Sequence, residues 1–388
     1  MRKSFLIFGS PAIEDAEINE VVAVLKSGWL STGVKVAQLE DDFRKYQAVK
    51  HAVAVNSCTA ALHLSLLASG VGSGDEVITT ALTFCATVNA IIHAGATPVL
   101  ADVDPETMNI NSSEVEKKIT PKTKAIVLVH FAGRPCNMEE LCSIAKQYNL
   151  KIIEDCAHAI ETEYKGRKVG TFGDFGCFSF YVTKNVVTGE GGMVISNNEE
   201  DTNRIKMLAL HGMSKDAWKR FNDEGYKHYH VVECGFKYNM MDLQAAIGIH
   251  QLKRVEANWQ KRQKVWQVYN DAFLDLPVGL PGLIEQDTRH AYHLYTIVID
   301  SKIARISRDE FLNEMTKRNI GVGVHYLSIG EHPYYQKHYG FKAEDCPEAM
   351  RIGRQTISLP LSAKLTTKDV DDVIAAVCDI IVKRKVIV

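Results

Sequence analysis

One lysine stands where a lysine is costly. In Ser179-Phe180-Tyr181-Val182-Thr183-Lys184-Asn185, an apolar run over Cys177–Val182 delivers Lys184 into the glycine-dense turn Thr188-Gly189-Glu190-Gly191-Gly192. An ammonium pressed against buried strands resists desolvation. Desolvation lowers a lysine's pKa and makes its amine a nucleophile toward an aldehyde. Asp155 closes the apolar run Lys151-Ile152-Ile153-Glu154 earlier in the chain. A pyridoxal ring requires a carboxylate against its nitrogen, because the protonated pyridinium is the electron sink for carbanion formation. A third segment, Asn56-Ser57-Cys58-Thr59-Ala60-Ala61, reads as a strand-to-helix junction. Its N–H groups, hydroxyls and helix dipole suit a phosphate. Ser179 adds a hydroxyl just before the lysine, and Phe84 offers a face for stacking on an aromatic cofactor. Taken singly, each has a plainer reading: Lys184 snorkels to solvent, Asp155 caps a helix, and Phe84 belongs to a core. Their joint presence points to pyridoxal chemistry.

These residues need a scaffold that gathers them. Short apolar runs at His51–Val55, Glu76–Thr79, Pro98–Ala101, Ala125–His130 and Lys151–Glu154 read as strands. Helical stretches at Thr59–Ser69, Phe84–Ala94 and Met138–Tyr148 lie between several of them. Such alternation implies βαβ units and a mainly parallel sheet. Ligands of these sheets collect at the carboxyl ends of the strands, which is where Asn56–Thr59 and Asp155 fall. An amphipathic helix, Glu17–Ser27, and a second helix, roughly Ala37–Tyr46, precede the first strand, with Trp29–Gly33 as a loop between them. Beyond Gly248 the texture changes to a long charged helix, Gln251–Phe273, and then a Pro/Gly-rich stretch, Leu276–Leu283. Strands at His293–Asp300 and Gly321–His325 and helices at Arg308–Arg318 and Thr367–Val382 follow. The reading is α/β: a large domain over residues 1–250 and a smaller α+β domain over 251–388.

The composition removes other classes. With 388 residues, 46% apolar and 24% charged, the chain is ordinary for a soluble globular protein. Lys and Arg number 45 against 47 Asp and Glu, which offers no basic footprint for nucleic acid. The apolar stretch near Phe5–Phe8 stops at Gly9-Ser10-Pro11, too early for a signal peptide, and no run has the length of a membrane span. The nine cysteines form no CxxC pair, so neither a zinc site nor a disulfide framework is expected. Reduced thiols in the cytoplasm fit this pattern.

The chain resembles the DegT/StrS-type (DegT/DnrJ/EryC/StrS) nucleotide-sugar aminotransferase family of fold type I pyridoxal-phosphate enzymes. The resemblance rests on Gly28-Trp29-Leu30-Ser31-Thr32-Gly33, Asn56–Ala61, Thr83–Asn89, Glu154-Asp155-Cys156-Ala157-His158-Ala159, Phe178–Gly192, Gly235–Gly248 and His325-Tyr326, in that order. It implies a large domain with a seven-stranded sheet flanked by helices. It implies that Lys184 forms the internal aldimine with pyridoxal 5'-phosphate and shuttles the proton. Asp155 would hold the pyridinium, Phe84 would stack on the ring, and Thr59, Ala60 and Ser179 would bind the phosphate. His158 would lie near the cofactor or serve as a structural histidine. Asn239 resembles the position that reaches the phosphate from a second subunit, implying a homodimer with a shared site. Trp29, Ser31, Thr32 and Gly33 resemble the loop at the mouth of the site, and His325 and Tyr326 are expected against donor or sugar. Lys215 or Arg220, within and beside His211–Trp218, would pair with a diphosphate or a donor carboxylate, or stay solvated.

The implied reaction moves an amino group from an amino acid, expected to be glutamate, to a keto group of a nucleotide-linked deoxysugar. His158 and the His211–Trp218 segment favour carbon 4 over carbon 3. A sugar dehydratase on this scaffold would carry histidine in place of Lys184. A non-catalytic regulator on the same fold would leave Lys184, Asp155 and the phosphate cup without a reason to coexist.

Overall fold

A computed structural model describes residues 2–214 and 229–385. Two helices open the chain, α1 (Asp15–Ser27) and α2 (Val34–Tyr46). The Glu17 carboxylate turns back to the Glu14 N–H to start α1. Gly28 ends it at φ 74°, the left-handed conformation that glycine adopts without a Cβ penalty.

An alternating series follows: β1 (His51–Val55), α3 (Cys58–Ala68), β2 (Glu76–Thr80), α4 (Cys85–His93), β3 (Thr97–Ala101) and α5 (Ser112–Lys117). It continues through β4 (Thr123–Val129), α6 (Met138–Tyr148), β5 (Lys151–Asp155), the two-residue strands β6 (Glu163–Tyr164) and β7 (Arg167–Lys168), β8 (Phe175–Ser179) and β9 (Gly192–Ser196). Helices α7 (Glu199–Ala209), α8 (Asp242–Lys253) and α9 (Val255–Phe273) complete this half.

Seven strands form one sheet in the order β1-β9-β8-β5-β4-β2-β3. Strand β9 runs antiparallel to both its neighbours, and every other adjacent pair is parallel. The carboxyl ends of the six co-directional strands therefore share one edge with the amino end of β9. Register makes this concrete, since Gly192 lies opposite both Val55 and Ser179.

Alternation along each strand feeds two cores. Val53, Val55, Val127 and Ile153 pack with α3, while Ala52 and Ala54 face Leu39 and Phe43 of α2, and Ile126, Leu128 and Ile152 face Leu141 and Ile144 of α6. Each fully buried aliphatic side chain contributes roughly 1.5–3 kcal/mol, so the sheet edge is a rigid platform.

The C-terminal part contains β10 (Thr288–Arg289), β11 (Tyr295–Val298), α10 (Ser301–Ala304), α11 (Arg308–Lys317), α12 (Pro333–Tyr339), α13 (Pro347–Gln355), β12 (Thr356–Leu359) and α14 (Thr367–Lys385). Strand β10 joins β6 and β7, and β11 pairs with β12. Trp266, Tyr269, Phe273, Tyr295, Phe311 and Val377 form its core, against which Leu6 also packs. A separate cluster binds this part to the sheet edge, bringing Leu82, Val88 and Phe131 against Leu294, Ile329 and Ile352.

Two expectations need correction. The helix expected over Gln251–Phe273 is two helices, because Arg254 leaves helical geometry while its guanidinium bonds to Glu17 and the Ala12 carbonyl. Gly321–His325 is not a strand; only Gly323 bridges to Ser358, while Gly321 is tied to Leu6 and the His325 ring turns to the Ser358 hydroxyl. Strand β8 ends at Ser179, and Lys184 sits in the turn beyond it, as the glycine-dense sequence there implies. Among the described residues no helix is long and apolar enough to cross a membrane.

Candidate active site

The sheet edge opens into a cavity of about 510 Å³. Its lining includes Thr59, Phe84, Asp155, His158, Ser179, Lys184, His325 and Tyr326, so eight of the expected residues meet in one place.

Lys184 lies in a turn closed by its N–H to the Tyr181 carbonyl at 2.8 Å. The neighbouring Asn185 amide holds that turn, donating to Glu161 Oε2 (2.8 Å) and the Ala291 carbonyl (3.2 Å) and bonding His293 through Oδ1 (3.0 Å). Among the described residues, the Lys184 Nζ has no hydrogen-bond or ion-pair partner. Burial brings it down from the usual 10.5 to about 8, against the opposing pull of Asp155 and Cys58. That amine is a competent base and nucleophile near neutral pH.

Asp155 ends β5 as a buried carboxylate. Oδ2 accepts from the Thr87 hydroxyl (2.9 Å), and Oδ1 accepts from the Ala157 N–H (3.1 Å) with the Cys58 thiol at 3.9 Å. Burial pushes it above the usual carboxylate range, opposed by these bonds and by the Lys184 charge. A cationic ring placed against it would supply the missing counter-charge.

The first turn of α3 forms one wall of the cavity. The Ser57 hydroxyl caps this helix by accepting from the Ala60 N–H at 3.1 Å. Ala60 is buried behind the wall rather than lining the cavity. The Cys58 and Thr59 N–H groups have no intrahelical acceptor, and the Ser57, Thr59 and Ser179 side chains stand beside them. Gly192 lets the next strand pass close behind, because a Cβ there would lie 2.5 Å from the Ser57 carbonyl carbon.

Opposite this wall stands a neutral pair. His158 Nδ1 accepts from the Ala132 N–H (3.2 Å), which places the ring hydrogen on Nε2, 3.1 Å from the Tyr326 hydroxyl. Burial and the Lys184 charge hold His158 well below its usual range. The Tyr326 hydroxyl therefore accepts from His158 and keeps its own hydrogen for another acceptor. Phe84 is 57% exposed, with its ring centroid 5.8 Å from that of Tyr326. His325, brought to about 3 by burial, bonds Ser358 and stacks on Phe8.

Other expected residues lie outside the cavity. Asn239 donates to the Thr32 hydroxyl (2.7 Å), the Trp29 indole N–H donates to the Thr32 carbonyl (3.0 Å), and the Asp242 N–H donates to the Ser31 carbonyl (3.1 Å). Together with Gly33, whose N–H donates to Asp242, they form a second patch beside β1. Lys215 and Arg220 fall outside the described residues.

His130, Glu154 and Cys156 cluster like metal ligands. Hydrogen bonding accounts for Glu154 instead: its oxygens accept from Gly170, Phe172 and Gly173 N–H groups and from His130 Nε2. Sequence reasoning missed Thr87, Cys58, Asn185 and His293. Thr83 and Thr87 did carry a signal, as two hydroxyls one helical turn apart in a largely apolar stretch.

An electrophile-seeking amine, a buried carboxylate, a helix N-terminus and an exposed aromatic face therefore surround one cavity, and this set fits a phosphorylated pyridine aldehyde. The comparisons with known proteins agree. Residues 11–378 match the DegT/DnrJ/EryC1/StrS aminotransferase family. The spore coat polysaccharide biosynthesis protein SpsC of Bacillus subtilis is 48% identical over 381 residues, covering 98% of each chain. Among solved structures, one described as the PLP-form of a sugar aminotransferase, Spr1654 of Streptococcus pneumoniae, is 32% identical with a TM-score of 0.90, covering 98% of this chain and 99% of the other. Helicobacter pylori PseC, an aminotransferase involved in the biosynthesis of pseudaminic acid, is 30% identical with a TM-score of 0.90, covering 98% and 100%. The chain belongs to the DegT/DnrJ/EryC1/StrS aminotransferase family. It is a sugar aminotransferase dependent on pyridoxal 5'-phosphate, with the fold type I architecture.

Proposed function

We propose that this chain transfers an amino group from an amino acid, glutamate, to the carbon-4 keto group of a nucleotide-linked deoxysugar, in the cytoplasm. The observation that carries this reading is the single cavity faced by Lys184, Asp155, the α3 N-terminus and the His158–Tyr326 pair. SpsC acts in polysaccharide biosynthesis and PseC in pseudaminic acid biosynthesis, which supports a sugar acceptor. The presence of His158 in the cavity wall supports carbon 4 over carbon 3.

When bound, pyridoxal phosphate supplies the aldehyde carbon that carries the amine and a ring that disperses the electron pair left by a departing proton. The protein's residues do the rest. Lys184 would hold the cofactor through Nζ; once the donor's amine displaces it, the freed Nζ would take the proton from the donor's α-carbon and later return one to the sugar carbon. Asp155 would accept the hydrogen bond from the protonated ring nitrogen. Thr59, Ser179 and the first-turn N–H groups of α3 would anchor the phosphate, and Phe84 would cover a face of the ring. Tyr326, accepting from His158, offers its hydrogen to an oxygen in the cavity.

We place Asn239, Trp29, Ser31 and Thr32 against a second copy of the chain. Ile18, Val22 and Leu25 of α1 form an exposed apolar stripe continuing to Trp29, Leu30 and Val34. A homodimer covering it would bring Asn239 to the partner's phosphate. The test is a screen of glutamate and other amino donors against 3-keto and 4-keto nucleotide sugars, with the aminated carbon assigned by NMR. Turnover of 3-keto sugars alone would exclude the carbon-4 reading, and no turnover of any keto sugar would exclude the acceptor class.

A further inference from the structure

Asp155 is buried without a lysine or arginine ion-pair partner among the described residues, so hydrogen bonds support its charge alongside the more distant Lys184 ammonium. One donor is a backbone N–H (Ala157, 3.1 Å), and the thiol contact is long (Cys58, 3.9 Å). The short side-chain donor is Thr87, whose Oγ1 lies 2.9 Å from Asp155 Oδ2. That same hydroxyl lies 2.8 Å from Thr83 Oγ1. A hydroxyl has one hydrogen and an ionised carboxylate only accepts. Thr87 therefore donates to Asp155, and Thr83 must donate to Thr87. Both threonines are essentially buried, so bulk water offers them little alternative, and the directed chain Thr83→Thr87→Asp155 is the arrangement that satisfies all three groups. A carboxyl that took a proton at Oδ2 would lose the Thr87 donor or force both hydroxyls to turn.

We propose that Thr87, oriented by Thr83, is a positioning residue that holds Asp155 as an ionised acceptor and so sets how firmly the cofactor's ring nitrogen keeps its proton. This rests on the reading of Asp155 as the partner of that nitrogen. Thr87 acts through Asp155, with no role of its own toward substrate. Chains of hydrogen bonds of this kind strengthen one another in a low-dielectric interior.

The experiment compares Thr87→Val, Thr87→Ser, Thr83→Val and Asp155→Asn with the wild type. Apoenzyme is titrated with pyridoxal phosphate to obtain affinity, and the holoenzyme's cofactor absorbance is followed against pH. Loss of one hydrogen bond to a charged group predicts that Thr87→Val weakens cofactor binding about tenfold or more. A less positive ring holds its other proton more tightly, so the pH midpoint of the absorbance change moves upward. The kcat falls while the KM for the donor stays nearly constant. Thr87→Ser restores the wild-type midpoint, and Thr83→Val shifts it in the same direction by less. An unmoved midpoint and affinity in Thr87→Val, with Asp155→Asn impaired, overturn the role of Thr87 alone. Failure of Thr87→Ser to restore the midpoint also overturns it, by assigning the effect to packing. Should Thr87→Val not fold, an unmoved midpoint in Thr83→Val overturns it. Wild-type behaviour in Asp155→Asn removes the reading of Asp155 itself, a distinguishable failure.

Discussion

Replacing Lys184 with methionine should stabilise the apoprotein, and by an amount that depends on pH. Lys184 falls from 10.5 to about 8 because burial disfavours its charge. At about 1.36 kcal/mol per pH unit, a charged Lys184 costs the folded apoprotein about 3 kcal/mol below pH 8. The sign follows from proton counting. Between pH 8 and 10.5 the unfolded chain binds more protons at this site than the folded one, so wild-type stability rises with pH across that window. Lys184→Met removes the dependence while keeping the shape of the side chain. Urea unfolding of both apoproteins at pH 7 and pH 9.5 measures it. The packing of the substituted methionine adds a constant to both differences, so the informative quantity is the change between them. The variant's advantage should shrink by roughly 2 kcal/mol from the lower to the higher pH. An advantage that is the same at both pH values would refute the account of a desolvated lysine.

Further outcomes follow from other contacts. Asp155→Asn keeps the shape but removes the charge, and should lower kcat at least about tenfold with the fold retained, as circular dichroism and steady-state rates will show. Glu154→Ala strips the buried His130 and three N–H donors of their acceptor and should destabilise the chain by about 3–5 kcal/mol in denaturant unfolding. If Asn239 serves the neighbouring subunit, inactive Lys184→Ala and Asn239→Ala proteins should regain activity when mixed as heterodimers. No recovery, with both single variants inactive, would count against a shared site.

Much of the arrangement was legible because local chemistry and topology agreed. Asp155 and Asn56–Ala61 ended apolar strand patterns, and the parallel-sheet rule placed both at one edge, where the cavity opens. Strands at His51–Val55 and Lys151–Asp155 were read nearly to their ends, since buried runs bounded by turns leave little choice. Strand β9 was harder. Gly192–Ser196 follows a glycine-rich turn, and its antiparallel insertion between β1 and β8 is a long-range pairing with no local signature. The break at Arg254 was also hidden, since it coincides with a contact to Glu17 far away in sequence. The donors to Asp155 carry only a weak signal for a related reason. Thr87 falls in the helical stretch Phe84–Ala94 and in the segment Thr83–Asn89, and its hydroxyl acquires meaning once β5 is known to lie beside α4's first turn.

The central claim is that Lys184 carries the cofactor. Reducing the holoenzyme with borohydride, digesting it and reading the peptides by mass spectrometry tests it most directly. The account predicts discharge of the yellow colour and a reduced pyridoxyl phosphate mass on Lys184, lost again when glutamate is added before reduction. A label on another lysine, or no label with pyridoxal phosphate present, would contradict it.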